Sequence, residues 1–128
     1  MTNKAIIQGL YQSFASGDIQ AVTATFADEI EWTEADGFPL AGTYIGPQSV
    51  VENVFMRLSE FSENWAVAVS RYIADGDTIV ADGKYTWNHK ETGKPCEVRM
   101  AHVWTLANGK AISFLQHVDT MKVRELIG

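Results

Sequence analysis

Residues 65–119, WAVAVSRYIADGDTIVADGKYTWNHKETGKPCEVRMAHVWTLANGKAISFLQHVD, decide the fold. Apolar side chains recur there at every second position, the spacing that puts them on one face of a strand. Trp65, Val67, Val69 and Ile73 form the first such run, and Ile79, Ala81, Tyr85 and Trp87 the second, with Asp82, Lys84 and Asn88 on its other face. A third strand runs from about Val98 to Leu106 and a fourth from about Ala111 to Asp119. Turn chemistry separates them: Gly76 in Ala74-Asp75-Gly76-Asp77, the stretch ETGKP, and Asn108-Gly109, a pair whose residues tolerate the positive φ of a tight hairpin. Four strands in such an order make an antiparallel meander.

Upstream the period lengthens to that of a helix. Ile7, Leu10, Tyr11 and Phe14 share one face, with Thr2 or Asn3 as N-cap and Gly17 where a left-handed C-terminal cap belongs. Asp18 caps a second, short helix that buries Ile19, Val22 and Phe26. The alternation Ile30, Trp32 then reads as a short strand before a loop, TEADGFPLAG. A third helix starts at Gly46-Pro47, proline being tolerated in a first turn, and carries Val50, Val51, Val54, Phe55 and Leu58 as its buried stripe. MKVRELIG closes the chain as a short helical tail. Three helices followed by a meander is an α+β pattern, the helices on one face of a sheet that curls into a cone.

Composition bounds what such a domain can do. At 128 residues there is room for one core and one domain, spanning residues 1–128. Sixteen acidic against ten basic residues, a formal net charge of -6, repel phosphate backbones and anionic lipid surfaces, so neither nucleic acid nor membrane is an expected partner. The single cysteine, Cys96, closes no internal disulfide and fits a reducing, cytoplasmic setting. The apolar run of MTNKAIIQGLYQ is broken by Gln8, Gly9 and Gln12, so a signal-peptide core or a membrane span is not expected. There is no glycine-rich phosphate loop, HExxH or Gly-x-Ser-x-Gly, and no spacing of histidines and carboxylates that argues for a metal. No cofactor is expected.

The last hairpin gathers chemistry. A two-residue turn at Asn108-Gly109 pairs Ala107 with Lys110 and, counted outward, Trp104 with Ser113, His102 with Leu115 and Met100 with His117. In that register Val98, Met100, His102 and Trp104 share a face with Leu115, His117 and Asp119. Two imidazoles and a carboxylate in an apolar setting suit acid-base chemistry near neutral pH. A bulge of one residue would separate the faces. Asp119, at a strand end, also fits a cap for the following turn.

The stretches YQSFASGDIQAVTATFADEIEWTE, LAGTYIGPQSVVENVF and HVWTLANGKAISFLQHVDT, with Gly17-Asp18, Phe26-Ala27-Asp28, Gly42 and Gly46 before a helix, Gly109-Lys110 and a late Asp119, resemble the SnoaL-like branch of the nuclear transport factor 2-like superfamily, which also includes ketosteroid isomerase. The likeness spans nearly the whole chain. It implies a cystatin-like cone with a curved antiparallel sheet, a closed apolar pocket and a homodimer. Ketosteroid isomerase uses an aspartate base and an oxyanion hole of a tyrosine and a protonated aspartate. Aligned on Phe26-Ala27-Asp28, its base position falls on Glu34; aligned on Gly17-Asp18, its tyrosine falls on Leu10, with Tyr11 about 100° further round the helix. The protonated aspartate falls on Ala101 or, with a shorter turn, on His102. Asp119 matches the acid-base aspartate of SnoaL-like cyclases. Epoxide hydrolases of the superfamily use an Asp-Arg-Asp set, but Arg99 is expected on the face opposite Asp119.

The reading that follows is a cofactor-independent isomerase, cyclase or lyase for a small hydrophobic carbonyl compound. His102, Asp119 and Glu34 are its catalytic candidates; Tyr11, Trp32, Phe55, Tyr85, Trp87, Met100, Trp104 and His117 are its ligand-binding candidates. The rival is a non-catalytic module of the same fold that binds a small molecule or another protein.

Overall fold

The computed structural model describes residues 1–127. Helix α1, Asn3–Ala15, starts where the Thr2 side chain accepts the Ala5 N–H and buries Ile7, Leu10 and Tyr11. It stops at Gly17, whose φ of 78° is left-handed. Asp18 caps α2, Ile19–Thr23, through the Ala21 N–H, and Val22 is its buried residue. Strand β1, Phe26–Glu34, turns Ile30, Trp32 and Glu34 inward and is longer than the two-residue alternation predicts. Phe26, expected on the second helix, is the first residue of this strand.

Strand β2, Gly42–Ile45, occupies part of what reads as loop; it pairs antiparallel with β1, Trp32 opposite Tyr44. The single helix expected after Gly46 divides at Val54 into α3, Pro47–Asn53, and a 3-10 helix, Phe55–Glu60. Val50, Val54 and Leu58 are buried across the break, whereas Val51 and Phe55 are half-buried. The meander is β3, Ser62–Asp75, β4, Thr78–His89, β5, Pro95–Ala107, and β6, Lys110–Val118, and α4, Thr120–Ile127, follows it. The six strands form one sheet in the order β2-β1-β6-β5-β4-β3. Its pairs are antiparallel except β1 with β6, which run parallel, so the curved sheet is mixed. Helix α1 packs across β3 and β4, and α3 across β1 and β2, enclosing the core between helices and sheet.

The β5–β6 register differs from the expected one. Asn108 and Gly109 take φ of 51° and 75°, and Ala107 pairs with Lys110 as the two-residue turn requires. An irregularity follows between Leu106, opposite Ala111, and Thr105, opposite Ser113, so that Ile112 is passed over. Every later pair moves by one: Trp104 faces Phe114, His102 faces Gln116 and Met100 faces Val118. Because side chains alternate along a strand, the bulge sends Phe114 and Gln116 into the core and turns Leu115 and His117 to the surface. The neighbour on the far side of β6 contributes to this kink, since Ala111 N–H donates to Thr25 O at 2.8 Å.

A second irregularity, in β3 between Val69 and Arg71, lies opposite Gly83. A Cβ at Gly83 would stand 2.0 Å from Ala68 O and 2.8 Å from Val69 Cα, both backbone atoms that cannot swing aside. Glycine is required there because two backbones approach where the long strands bend. Gly83→Ala is expected to destabilise the protein by at least about 2 kcal/mol, read as a shift in the urea midpoint of the far-ultraviolet circular dichroism signal. A loss within about 0.5 kcal/mol would contradict this account of the bend.

Candidate functional site

The core holds a cavity of about 50 Å³, room for a few water molecules. Of the residues singled out in the sequence, Tyr11, Trp32, Glu34, Phe55, Tyr85, His102 and Trp104 line it. Trp87 and Met100 are buried in the core but do not line it. His117 and Asp119 do not reach it at all: the bulge places His117 on the outer face opposite Ala101. Asp119 lies beyond the strand, exposed, where its Oδ1 accepts the Lys122 N–H at 3.1 Å and so caps the first turn of α4. The pocket roles expected for these two fail because they rested on an unbulged ladder.

Residues outside the set of site candidates take their place. Gln116 and Phe114 enter with the shifted register, and Leu10, Phe14, Leu58 and Trp65 complete much of the wall. Gln116 stands in a strand of mixed composition, and only the bulge, which a sequence does not announce, would have pointed to it.

A hydrogen-bonded chain crosses the cavity wall. Trp104 Nε1–H donates to Tyr11 Oη at 2.9 Å, Tyr11 Oη lies 2.5 Å from His102 Nδ1, and Tyr85 Oη lies 2.5 Å from His102 Nε2. Gln116 Nε2–H donates to Tyr85 Oη at 2.9 Å, and Gln116 Oε1 accepts the Ala35 N–H at 2.9 Å. Tyr11 sits one residue from the position that the ketosteroid isomerase alignment favours, yet both it and Leu10 face the cavity, and its hydroxyl is the one that reaches His102.

Burial sets the protonation states. Only 4% of His102 is exposed and no carboxylate touches either ring nitrogen, so desolvation lowers its pKa to about 3, with a smaller contribution from His117 across the sheet. The imidazole is neutral. The same burial raises the Glu34 carboxyl to about 8, opposed in part by the Trp32 indole N–H beside it. That N–H meets no acceptor at hydrogen-bonding geometry. Burial also pushes the Tyr11 and Tyr85 phenols well above their ordinary range, so both stay protonated. The rest of the wall is aromatic: Trp32 stacks on Phe114 at 3.7 Å between ring centroids, and Phe14 meets Phe55 edge-on at 5.4 Å. Among the described residues no group of three or more His, Cys, Asp or Glu side chains could hold a metal ion. No helix among them is long and apolar enough to cross a membrane.

A mixed sheet of six strands curled around helices, with a cavity inside the curl, is the nuclear transport factor 2-like cone. The SnoaL-like domain model matches residues 7–114, and the chain belongs to that family. It is similar to a nuclear transport factor 2-like protein from Burkholderia thailandensis E264, 37% identical, with a TM-score of 0.94 over 100% of this chain and 98% of that one. A protein of the same fold and unknown function from Burkholderia pseudomallei K96243 is 27% identical, with a TM-score of 0.90 over 99% and 98% of the two chains. TerC, co-crystallized with polyporic acid, is 25% identical, with a TM-score of 0.90 over 98% and 97%. A search among curated proteins finds none that matches.

The two shifted groups leave opposite marks on stability. The folded pKa of Glu34 lies above its ordinary 4.5, so between about 4.5 and 8 the folded state holds a proton the unfolded state has released, and stability falls as pH rises through that window. The folded pKa of His102 lies below its ordinary 6.5, so between about 3 and 6.5 the unfolded state holds the extra proton and stability rises with pH. The slopes oppose one another from about 4.5 to 6.5, leaving Glu34 to act alone up to about 8. Glu34→Gln removes the carboxyl's share, on the order of 5 kcal/mol when complete. Urea unfolding from pH 5 to 9 is expected to show the variant gaining on the parent up to about pH 8. A pH-independent difference would mean that Glu34 is not held protonated by burial.

Proposed function

We propose that the chain is a cofactor-independent isomerase, cyclase or lyase for a small hydrophobic carbonyl compound, with proton transfer carried out inside the cone. The observation that carries this reading is one aromatic cavity whose wall holds both a carboxyl with a pKa of about 8 and a neutral tyrosine-histidine-tyrosine chain. Environments that move titratable groups in this way divide acid and base roles between them.

The chemistry assigned to each group follows from its state. A carbonyl oxygen in the cavity accepts a phenol O–H from Tyr11 or Tyr85, which also stabilises the charge that develops as an adjacent C–H is broken. Ionised Glu34 takes that proton and, as a carboxylic acid, returns it to another atom of the substrate. Trp32, Trp104, Phe55 and Phe114 supply flat apolar walls. A relative at 25% identity co-crystallized with polyporic acid makes that compound a rational first ligand.

Entry requires side chains to move, because a cavity of about 50 Å³ is smaller than a ring compound. Phe14, Phe55, Leu58 and Trp65 line both this cavity and an open groove of about 360 Å³, so they form the partition a ligand has to part. The reading also places the protein in the cytoplasm as a homodimer paired through the outer sheet face, where Ile73, Ile112 and Leu115 are exposed.

Proton abstraction can be tested without knowing the natural substrate. Protein in deuterium oxide is incubated with cyclohexanone, acetophenone and polyporic acid; deuterium incorporation next to a carbonyl, or loss of polyporic acid to a new product, is followed by nuclear magnetic resonance and mass spectrometry. The expected result is catalysed exchange or conversion whose rate rises with pH towards about 8 and drops about 10²–10⁴-fold in Glu34→Gln. Saturable binding without exchange or conversion would favour the non-catalytic carrier.

A further inference from the structure

Each of the two hydroxyls that meet His102 already accepts one hydrogen bond from a fixed donor. Trp104 Nε1–H donates to Tyr11 Oη, and Gln116 Nε2–H donates to Tyr85 Oη. The Gln116 amide cannot be turned round, since its Oε1 is held by the Ala35 N–H. A neutral imidazole brings one N–H and one bare nitrogen to its two links. Those links consume two protons, while three are present: one on each phenol and one on the ring.

One phenol proton is therefore left over in either arrangement. With Nδ1 protonated, the ring donates to Tyr11 and accepts from Tyr85, and the Tyr11 O–H has no protein acceptor. With Nε2 protonated the roles exchange and the Tyr85 O–H is free. Burial keeps His102 neutral, so the alternative of two ring N–H groups does not arise near pH 7. A buried donor without an acceptor costs about 1–3 kcal/mol, and both tyrosines line the cavity, from which an occupant can supply one.

We propose that the tautomer of His102 selects which of Tyr11 and Tyr85 offers its O–H to the cavity, and that the occupant is a compound with a bare acceptor oxygen at that point, a ketone, enone or quinone. The proposal rests on the reading of the cavity as a carbonyl site and names how that site chooses its ligand. A second observation points the same way: the Trp32 indole N–H is buried, lines the cavity beside the Glu34 carboxyl and meets no acceptor at hydrogen-bonding geometry, so a second carbonyl oxygen on the ligand has a further donor within the same wall.

The chain can also carry a proton. The exposed phenol O–H passes its proton to the ligand oxygen, and that phenol takes the imidazole N–H. The opposite ring nitrogen takes the proton of the other phenol, which is replaced from a second acidic site on the ligand. One proton leaves the chain and one enters, no charge is created, and His102 ends in the other tautomer.

The full-length protein labelled with 15N-histidine reports the tautomer through the distinct resonances of bare and protonated ring nitrogens at pH 7. Wild type is expected to show one bare and one protonated nitrogen on His102. Tyr11→Phe leaves Tyr85 as the phenol that donates to the ring, which keeps Nε2 bare and gives the Nδ1–H form; Tyr85→Phe leaves Tyr11 donating to Nδ1 and gives the Nε2–H form. The same tautomer in both variants, or two protonated nitrogens in wild type, overturns the proposal. Should a variant not fold, titration of wild type with cyclohexanone and with methylenecyclohexane, which has CH₂ in place of oxygen, decides. The ketone is expected to bind at least about tenfold tighter. Equal affinity, or no binding of the ketone, overturns it. Turnover enters neither measurement, so an absence of catalysed exchange with the tautomers behaving as stated would sink the enzyme and leave the acceptor site standing.

Discussion

A histidine buried without a carboxylate must satisfy both ring nitrogens with neutral partners, and much of this molecule is arranged around that need. Tyr11 comes from α1, Tyr85 from β4, His102 from β5, Gln116 from β6 and Ala35 from the turn after β1. One network thus ties five separate parts of the chain. It is coupled to the bulge in β6: in an unbulged ladder Leu115 would stand opposite His102 and Gln116 would face solvent, leaving the Ala35 N–H without its acceptor. Helix position, strand register and polar satisfaction are then one problem with one solution, since a half-satisfied network in an apolar core is worse than none.

The cavity is electrically quiet although the protein is not. The chain carries a formal net charge of -6, yet near neutral pH burial keeps Glu34 largely protonated and His102 unprotonated. Desolvation acts in opposite directions on an acid and a base and ends at the same place, a neutral wall. Such a wall has no attraction for ions. It suits a neutral molecule that offers oxygen acceptors to phenol and indole donors and flat apolar surface to the aromatic rings.

How far the sequence spoke depends on whether a feature is local. The alternation through Trp65, Tyr85, Trp87 and Trp104 and the pair Asn108-Gly109 are local, and they yield the meander. Strand β2 has no such pattern, since Gly42–Ile45 is mostly exposed and is a strand only because β1 lies beside it. The bulge at Ile112 lies where Ala111 bonds Thr25, a neighbour distant in sequence, so it has no local signal. His117 and Asp119 were lost with that bulge. Glu34 stood in plain alternation with Ile30 and Trp32, but Glu31 and Asp36 around it gave the segment the look of a solvated surface, and family resemblance rather than its own context marked it out.

Under the proposed function, closure and chemistry would be linked through one carboxyl. Burial is the largest cause of the raised Glu34 pKa, so parting Phe14, Phe55, Leu58 and Trp65 enough to admit water brings the carboxyl back toward its ordinary 4.5 and ionises it. Re-closing over a bound carbonyl strips that water away. The carboxylate then sits where its proton affinity is highest, next to a C–H whose acidity the phenol hydrogen bond has increased. The site needs no resident charge at rest to act as a base, because the same partition that admits the ligand changes the hydration, and with it the basicity, of the group that would react with it.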